Sequence, residues 1–284
     1  KGTAPGPHGY YGAGGAPISS QDACTIKLEP SGGVICAVGV TDQGQGVDTV
    51  MEQIAATALG VPVAAVTLVG ADTDVTPDAG KTSASRQTFV TGNAARLAGE
   101  ALRAQILRLG NGGQGAEITM TGDGIALTED GVTRRVPLPE GEGYALEVVE
   151  TYDPPTLPMD ANGQGSPYAV FGTAAQMVEL EVDMELGTVR LLKFTAAHDV
   201  GKAINPLLAE GQIEGGIAQG IGPDCRVGVR NGVADQVTAA RVGHGPADGT
   251  RALRHKGPGD LADRGRGFSP KSDKHSLLGH RCFR

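Results

Sequence analysis

Three stretches of this 284-residue chain bring polar side chains and glycines to places where a ligand could meet bare backbone. In Asp42-Gln43-Gly44-Gln45-Gly46-Val47-Asp48-Thr49, two glutamine–glycine pairs stand between a strand-like apolar run and a helix-like amphipathic one. A glycine-rich turn entering a helix presents unpaired N–H groups and the positive end of the helix dipole, which together suit an anionic or polar ligand. The glutamine amides donate and accept, so they suit a ligand with both kinds of edge. In the second stretch, Asp72 to Ala98, Thr82, Ser83, Ser85 and Thr88 gather with Arg86 and Gln87 directly before another helix-like run. Hydroxyls beside an arginine could hold a phosphate or a polyoxygenated heterocycle; Ser and Thr also favour helix N-caps. The third, Ala196 to Gly222, carries His198 and Asp199, then Asn205-Pro206 opening a helix that contains Gly211, Gln212, Gly215, Gly216, Gln219 and Gly220. Each stretch, taken singly, is also an ordinary turn or helix start. None is a phosphate-binding P-loop or a six-residue dinucleotide fingerprint.

Other chemistries are excluded by what surrounds these stretches. Cys24, Cys36, Cys225 and Cys282 lack the spacing of an iron–sulfur or zinc site. No apolar run is long enough to span a membrane and no signal-peptide pattern opens the sequence, so a cytoplasmic protein is expected. Charge is uneven: residues 1–222 carry a net −14 and residues 223–284 a net +6, with four of the six histidines in the latter. A basic segment of this kind can meet nucleic acid, but the array of aromatics that nucleic-acid modules use is missing, and no nucleic-acid partner is expected.

The elements that must position the three stretches follow from periodicity. Cys24, Ile26 and Leu28 alternate with polar neighbours, Pro30-Ser31-Gly32-Gly33 turns the chain, and Val34, Cys36, Val38 and Val40 alternate again, the pattern of a hairpin. Val47, Val50, Met51, Ile54, Ala55, Ala58 and Leu59 have helical spacing, closed by Gly60 with Pro62 beyond. A strand over Val66 to Val69 follows, then a second helix from about Thr88 to Leu109 whose small residues imply close packing. Two further hairpins are expected around Gly122-Asp123-Gly124 and Glu185-Leu186-Gly187. The class is α+β, with mixed sheets and packed helices.

QGQGVDT, DTDVTPDAGKTSASRQTFVTGNA and HDVGKAINPLLAEGQIEGGIAQGIG, in this order, resemble the molybdenum-binding large subunit of the xanthine dehydrogenase and aldehyde oxidase family over about residues 18–222. The resemblance implies a partial molybdopterin-binding region of a molybdenum hydroxylase, with the substrate-side half of the subunit lying upstream. The metal is then held by the dithiolene of a pterin, in bacterial members usually the cytosine dinucleotide form, and the protein orients the cofactor. Carried over by residue, Gln45 matches the glutamine near the metal, while Gly44 and Gly46 let backbone approach the pterin. Ser83, Ala84, Ser85 and Arg86 match the loop along the pterin and its pyrophosphate, and Gln212 matches a pterin contact. The Gln45 and Arg86 side chains are therefore expected to face the ligand, and replacing either to weaken cofactor retention without unfolding the protein. The implied reaction is hydroxylation of an N-heterocycle or an aldehyde with water as oxygen source, assisted by a glutamate general base. Electrons would leave through 2Fe–2S clusters and FAD on an iron–sulfur subunit and an FAD subunit in a hetero-oligomer; a fragment that binds cofactor without turnover is the alternative.

One motif departs from the family. The glutamate belongs to a Lys-Gly-x-Gly-Glu sequence beyond the third stretch, and the nearest match here is Lys256-Gly257-Pro258-Gly259-Asp260. Asp260, a methylene shorter and close to Gly222, is a weak candidate, and the catalytic base is unassigned. Residues 1–17 read as a glycine- and proline-rich lead-in. Residues 223–284 read as an unassigned basic tail, outside the family's native structure through either a shifted reading frame or disorder.

Overall fold

The computed structural model of the chain describes residues 10–11, 17–18, 22–83, 85–139, 143–156, 159–166, 169–224 and 237–243. Ala84 and Asp260 lie outside them. The chain forms two compact units, one ending at Phe171 and one starting at Gly172.

In the first unit, a short pair of β1 (Tyr10–Tyr11) and β2 (Pro17–Ile18) precedes the main sheet. The expected hairpin is β3 (Asp22–Leu28) with β4 (Val34–Val38), paired antiparallel with Cys24 opposite Val38. Its inward residues Cys24, Ile26, Leu28, Val34, Cys36 and Val38 are almost wholly buried, each large one worth about 1.5–3 kcal/mol. From β4 the chain enters helix α1 (Val47–Leu59) and returns as β5 (Val66–Gly70), parallel to β4 with Val38 opposite Gly70. From β5 a long loop leads to helix α2 (Val90–Leu109). The sheet is completed by β9 (Leu146–Tyr152), antiparallel to β3, in the order β5-β4-β3-β9. A second sheet of β6 (Glu117–Met120), β7 (Ile125–Glu129) and β8 (Val132–Arg135) contains the expected turn at Gly122-Asp123-Gly124.

The helix limits have physical causes. Gly60 ends α1 in the left-handed conformation at φ 82°, its N–H donating to Ala56 O. Arg103 of α2 then donates to Leu59 O at 3.0 Å, a cation at the negative end of α1. The small residues of α2 do pack closely: a Cβ on Gly99 would stand 2.7 Å from Ala58 Cβ, and one on Gly92 2.9 Å from Ile54 Cδ1.

This topology places the first two stretches together. The loop into α1 and the loop into α2 both leave the carboxyl ends of the parallel strands β4 and β5. That edge is where open α/β sheets bind ligands. Because β3 runs antiparallel, its first residue, Asp22, stands at the same edge.

In the second unit, β10 (Thr173–Asp183) and β11 (Thr188–Asp199) form the expected hairpin, and helix α3 (Pro206–Asp224) follows. Ile217 and Ile221 of α3 bury Ala196 of β11, with Ile213, Leu191 and Phe194 around them. The helix continues through Gly222, so no element boundary falls there. A strand within the basic segment, β12 (Val237–Gly243), pairs parallel with β11.

Candidate functional site

The loop into α1 is organised by its own aspartate. Asp42 Oδ1 accepts from Gly44 N at 2.7 Å and Gly46 N at 3.3 Å, while Oδ2 accepts from Asp48 N at 3.2 Å. Gln45 folds back as well: its Nε2 donates to Thr41 O at 3.2 Å and its Oε1 accepts from Gln43 N at 2.6 Å. The expectation of unpaired N–H groups awaiting an anion is therefore corrected for Gly44, Gly46 and Asp48, whose anion is the Asp42 carboxylate. Ligand capacity remains elsewhere. The half-buried Gln45 amide keeps a second N–H and a second lone pair. Gly44, at φ 100°, is exposed with no described atom within 4 Å of where a Cβ would stand. Gly46, at φ 81°, supplies the left-handed turn into the helix.

Arg86 is likewise corrected. Instead of facing a ligand it is 1% exposed, and its Nη2 donates to Asp22 Oδ1 at 2.6 Å across 64 residues of sequence. Its Nη1 donates to Ala79 O at 2.7 Å and Lys81 O at 3.4 Å, while Nε has no partner among the described residues. Asp22 also accepts from the buried Thr91 hydroxyl. Burial pushes the Asp22 carboxyl above the ordinary carboxylate range, and Thr91 and Arg86 pull it back. The pair fastens the loop into α2 to the edge of the sheet from below.

Above this anchor two hydroxyls are free. Ser83 and Ser85 are exposed, and their side chains make no hydrogen bond among the described residues. Ser85 is held left-handed at φ 56° beside the fixed Arg86, a conformation a non-glycine residue keeps only when its surroundings impose it. The alternative of an N-cap is not realised, because Phe89 holds that position and no side chain caps α2. Two of the first amides of α2 are engaged by the preceding turn, with Val90 N donating to Arg86 O at 2.8 Å and Gly92 N to Gln87 O at 3.0 Å. Several amides at each helix start are thus already engaged, and the edge also offers hydroxyls, side-chain amides and exposed glycine backbone.

Sequence reading missed the residues beneath. Asp22 and Thr91 look like ordinary strand and helix positions, and Gly39 falls between Val38 and Val40 of the alternating strand pattern. A Cβ on Gly39 would lie 2.2 Å from Pro77 O, so only glycine lets the second loop cross there. Asp42 did carry a signal, since an aspartate two residues before a glycine commonly accepts that glycine's N–H.

In the second unit, Asn205 caps α3 by accepting from Leu208 N at 3.1 Å, with Pro206 in the first turn. Gln212 is exposed, and Gly211, Gly215, Gly216 and Gly220 are exposed on the same helix with no described atom of their unit near them. His198 faces Gln176, Nε2 to Nε2 at 3.4 Å, and Asp199 accepts from Gly201 N at 2.9 Å, both ordinary structural roles.

Residues 1–223 match the family described as molybdopterin cofactor-binding domain. The chain belongs to that family and represents the molybdenum-cofactor-binding region found in xanthine dehydrogenases and aldehyde oxidoreductases. It is 34% identical over 275 residues to probable hypoxanthine oxidase XdhD of Escherichia coli strain K12, covering 93% of this chain and 27% of that one. It is 30% identical over 227 residues to the 6-hydroxypseudooxynicotine dehydrogenase complex subunit gamma of Paenarthrobacter nicotinovorans, covering 75% and 26%. The solved aldehyde oxidoreductase from Desulfovibrio desulfuricans ATCC 27774 superposes with a TM-score of 0.61 at 29% identity, over 78% of this chain and 21% of that one. The chain thus spans about a quarter of the length of these relatives. The match to XdhD extends over 93% of the chain, while the match to the family model ends at residue 223.

Proposed function

We propose that this chain supplies the pterin-facing loops of a molybdenum hydroxylase that oxidises an N-heterocycle, a hypoxanthine-like purine foremost, or an aldehyde, with water as oxygen source. The observation that carries the reading is the edge at β4 and β5. Exposed, unpartnered Ser83 and Ser85 stand there on a loop anchored by a buried ion pair, next to a glutamine with spare amide capacity. That donor set, amide and hydroxyl groups together, fits a pterin, a heterocycle with donors and acceptors on its edges, better than a bare polyphosphate, and several amides of both helix starts are already engaged. Gln45, Ser83 and Ser85 are the side chains of the first unit that would hold it, with Gly44 and Gly46 giving close approach. When bound, the molybdenum centre supplies a two-electron oxidation of the substrate carbon; this chain's residues bind and orient the cofactor. Arg86 acts through its loop.

The cytosine dinucleotide form, iron–sulfur and FAD partner subunits and a cytoplasmic site of action belong to the same reading; the relative from Paenarthrobacter is itself named as a subunit of a complex. Among the described residues no helix is long and apolar enough to cross a membrane. A second reading, a cofactor-binding fragment without turnover, is favoured by the absent Lys-Gly-x-Gly-Glu glutamate, for which Asp260 is the nearest residue in sequence.

The test is molybdenum analysis and release of cytidine monophosphate on acid treatment, followed by dye reduction with hypoxanthine and with an aldehyde in ¹⁸O-labelled water. Label in the product supports the hydroxylase. Bound molybdenum without turnover selects the fragment, and absence of both molybdenum and nucleotide from the assembled protein overturns the cofactor reading.

A further inference from the structure

Thr41 N donates to Thr82 Oγ1 at 3.1 Å. This hydrogen bond joins the loop into α1 to the loop into α2. The same Thr82 oxygen accepts from Gln87 Nε2 at 3.3 Å. Gln87 is buried, its Nε2 also reaching Lys81 O at 3.3 Å and Ala79 O at 3.4 Å, and its Oε1 stands 2.6 Å from Thr91 Oγ1. Thr91 Oγ1 also lies within hydrogen-bond reach of Asp22 Oδ2, its single proton serving one of the two oxygens at a time. In the other direction Thr41 O accepts from Gln45 Nε2 at 3.2 Å. A continuous run of hydrogen-bonding groups therefore passes from the buried Asp22, through Thr91, Gln87, Thr82 and Thr41, to Gln45.

Each link constrains the next. With Thr41 N and Gln87 Nε2 on its two lone pairs, the Thr82 oxygen has its acceptor capacity filled, and its proton is left to point away from both. The Gln87 amide is oriented by opposite demands: its NH2 faces two carbonyls and the Thr82 oxygen, and its carbonyl faces the Thr91 hydroxyl. Turning the amide over would set oxygen against the Ala79 and Lys81 carbonyls.

We propose that Thr82 and Gln87 are positioning residues that make the two loops one unit, so that Gln45 is set by the sheet edge through them rather than by its own turn alone. The inference rests on the cofactor-binding reading and adds the residues that couple its two halves. It follows that Thr82 acts on cofactor retention through Gln45, without itself being required to touch the ligand.

The experiment uses the full-length subunit assembled with its partner subunits. Thr82→Val removes the hydroxyl at nearly constant volume, Thr82→Ser restores it, and Gln45→Ala removes the far end of the run. Cofactor retention is read as molybdenum and cytidine monophosphate remaining after dialysis, and hydrogen exchange of the 41–46 amides is read on the cofactor-free protein. Loss of one neutral hydrogen bond corresponds to about fivefold weaker retention. The expected result is that loss in Thr82→Val with faster exchange over 41–46, recovery in Thr82→Ser, and no further loss when Thr82→Val is added to Gln45→Ala. Additive effects, unchanged exchange or failure of serine to rescue would overturn the proposal. A wild-type assembly without molybdenum would instead refute the cofactor reading, and the exchange measurement on the cofactor-free chain still decides whether the loops are coupled.

Discussion

Replacing Arg86 by methionine, which keeps the stem but removes the charge, isolates the anchor under the second loop. The change deletes a 2.6 Å bond to Asp22, a 2.7 Å bond to Ala79 O and a 3.4 Å contact to Lys81 O. The long contact contributes little. Ala79 O and Lys81 O keep their contacts to Gln87. The loss is dominated by Asp22, whose carboxylate would remain fully buried with only Thr91 to stabilise it. Breaking one side of a buried ion pair costs about 3–5 kcal/mol, and two bonds with a charged partner at about 1.5–3 kcal/mol each give a similar figure. About 4 kcal/mol is a large share of the 5–15 kcal/mol that holds a typical domain together.

The pH dependence gives this prediction its sign. In the wild type, burial already holds the Asp22 carboxyl above its ordinary value, with Thr91 and Arg86 opposing. The folded state therefore binds that proton more tightly than the unfolded state. The associated stability is complete below the unfolded carboxylate pKa and is lost as pH rises through the folded one, at about 1.4 kcal/mol per pH unit within that window. Without Arg86 the folded pKa climbs further and the loss continues to higher pH. Arg86→Met should thus be least destabilising near pH 4 and most near pH 8. Urea unfolding of the full chain followed by circular dichroism at several pH values measures this. Arg86→Met combined with Asp22→Leu should recover most of the loss at pH 8, since no buried charge is left alone. A loss under about 1 kcal/mol, a loss independent of pH, or a double variant no better than the single one would refute the anchor.

Three other outcomes follow from the same edge. Asp42→Ala frees three amides at the start of α1 and should lower stability by about 1–2 kcal/mol, measured by the same unfolding experiment, with faster hydrogen exchange at Gly44 and Gly46. Gly39→Ala places a methyl 2.2 Å from the Pro77 carbonyl, so the loop into α2 must shift; about 1–3 kcal/mol should be lost and trypsin should cut more readily after Lys81. The Ser83→Ala, Ser85→Ala double variant removes exposed hydroxyls with no partner among the described residues, and should leave the unfolding midpoint unchanged while the assembled protein keeps less molybdenum.

The legible part of this protein was local. β3, β4 and α1 were readable because their apolar residues keep strict periods of two and of 3.6, punctuated by Gly32-Gly33, Gly60 and Pro62. Strand β9 was not, because it pairs with β3 from more than a hundred residues away and its alternation has no turn to its partner. The same distinction governs the site. Arg86 was recognisable as an arginine before a helix, yet whether its guanidinium turns outward or inward is decided by Asp22, 64 residues earlier, in a strand whose period says nothing about ionisation. Asp42 is the intermediate case, close enough in sequence to Gly44 and Gly46 for its turn to be foreseen, but its effect is to satisfy the very amides that the glycines seemed to leave open. A charged or amide group near a glycine-rich turn is thus ambiguous until its partners are known. Ser83 and Ser85 are different: they are exposed, their side chains have no partner among the described residues, and they stand on a loop that the buried pair holds in place. The strongest case for a ligand at this edge therefore rests on the side chains that the fold leaves unused.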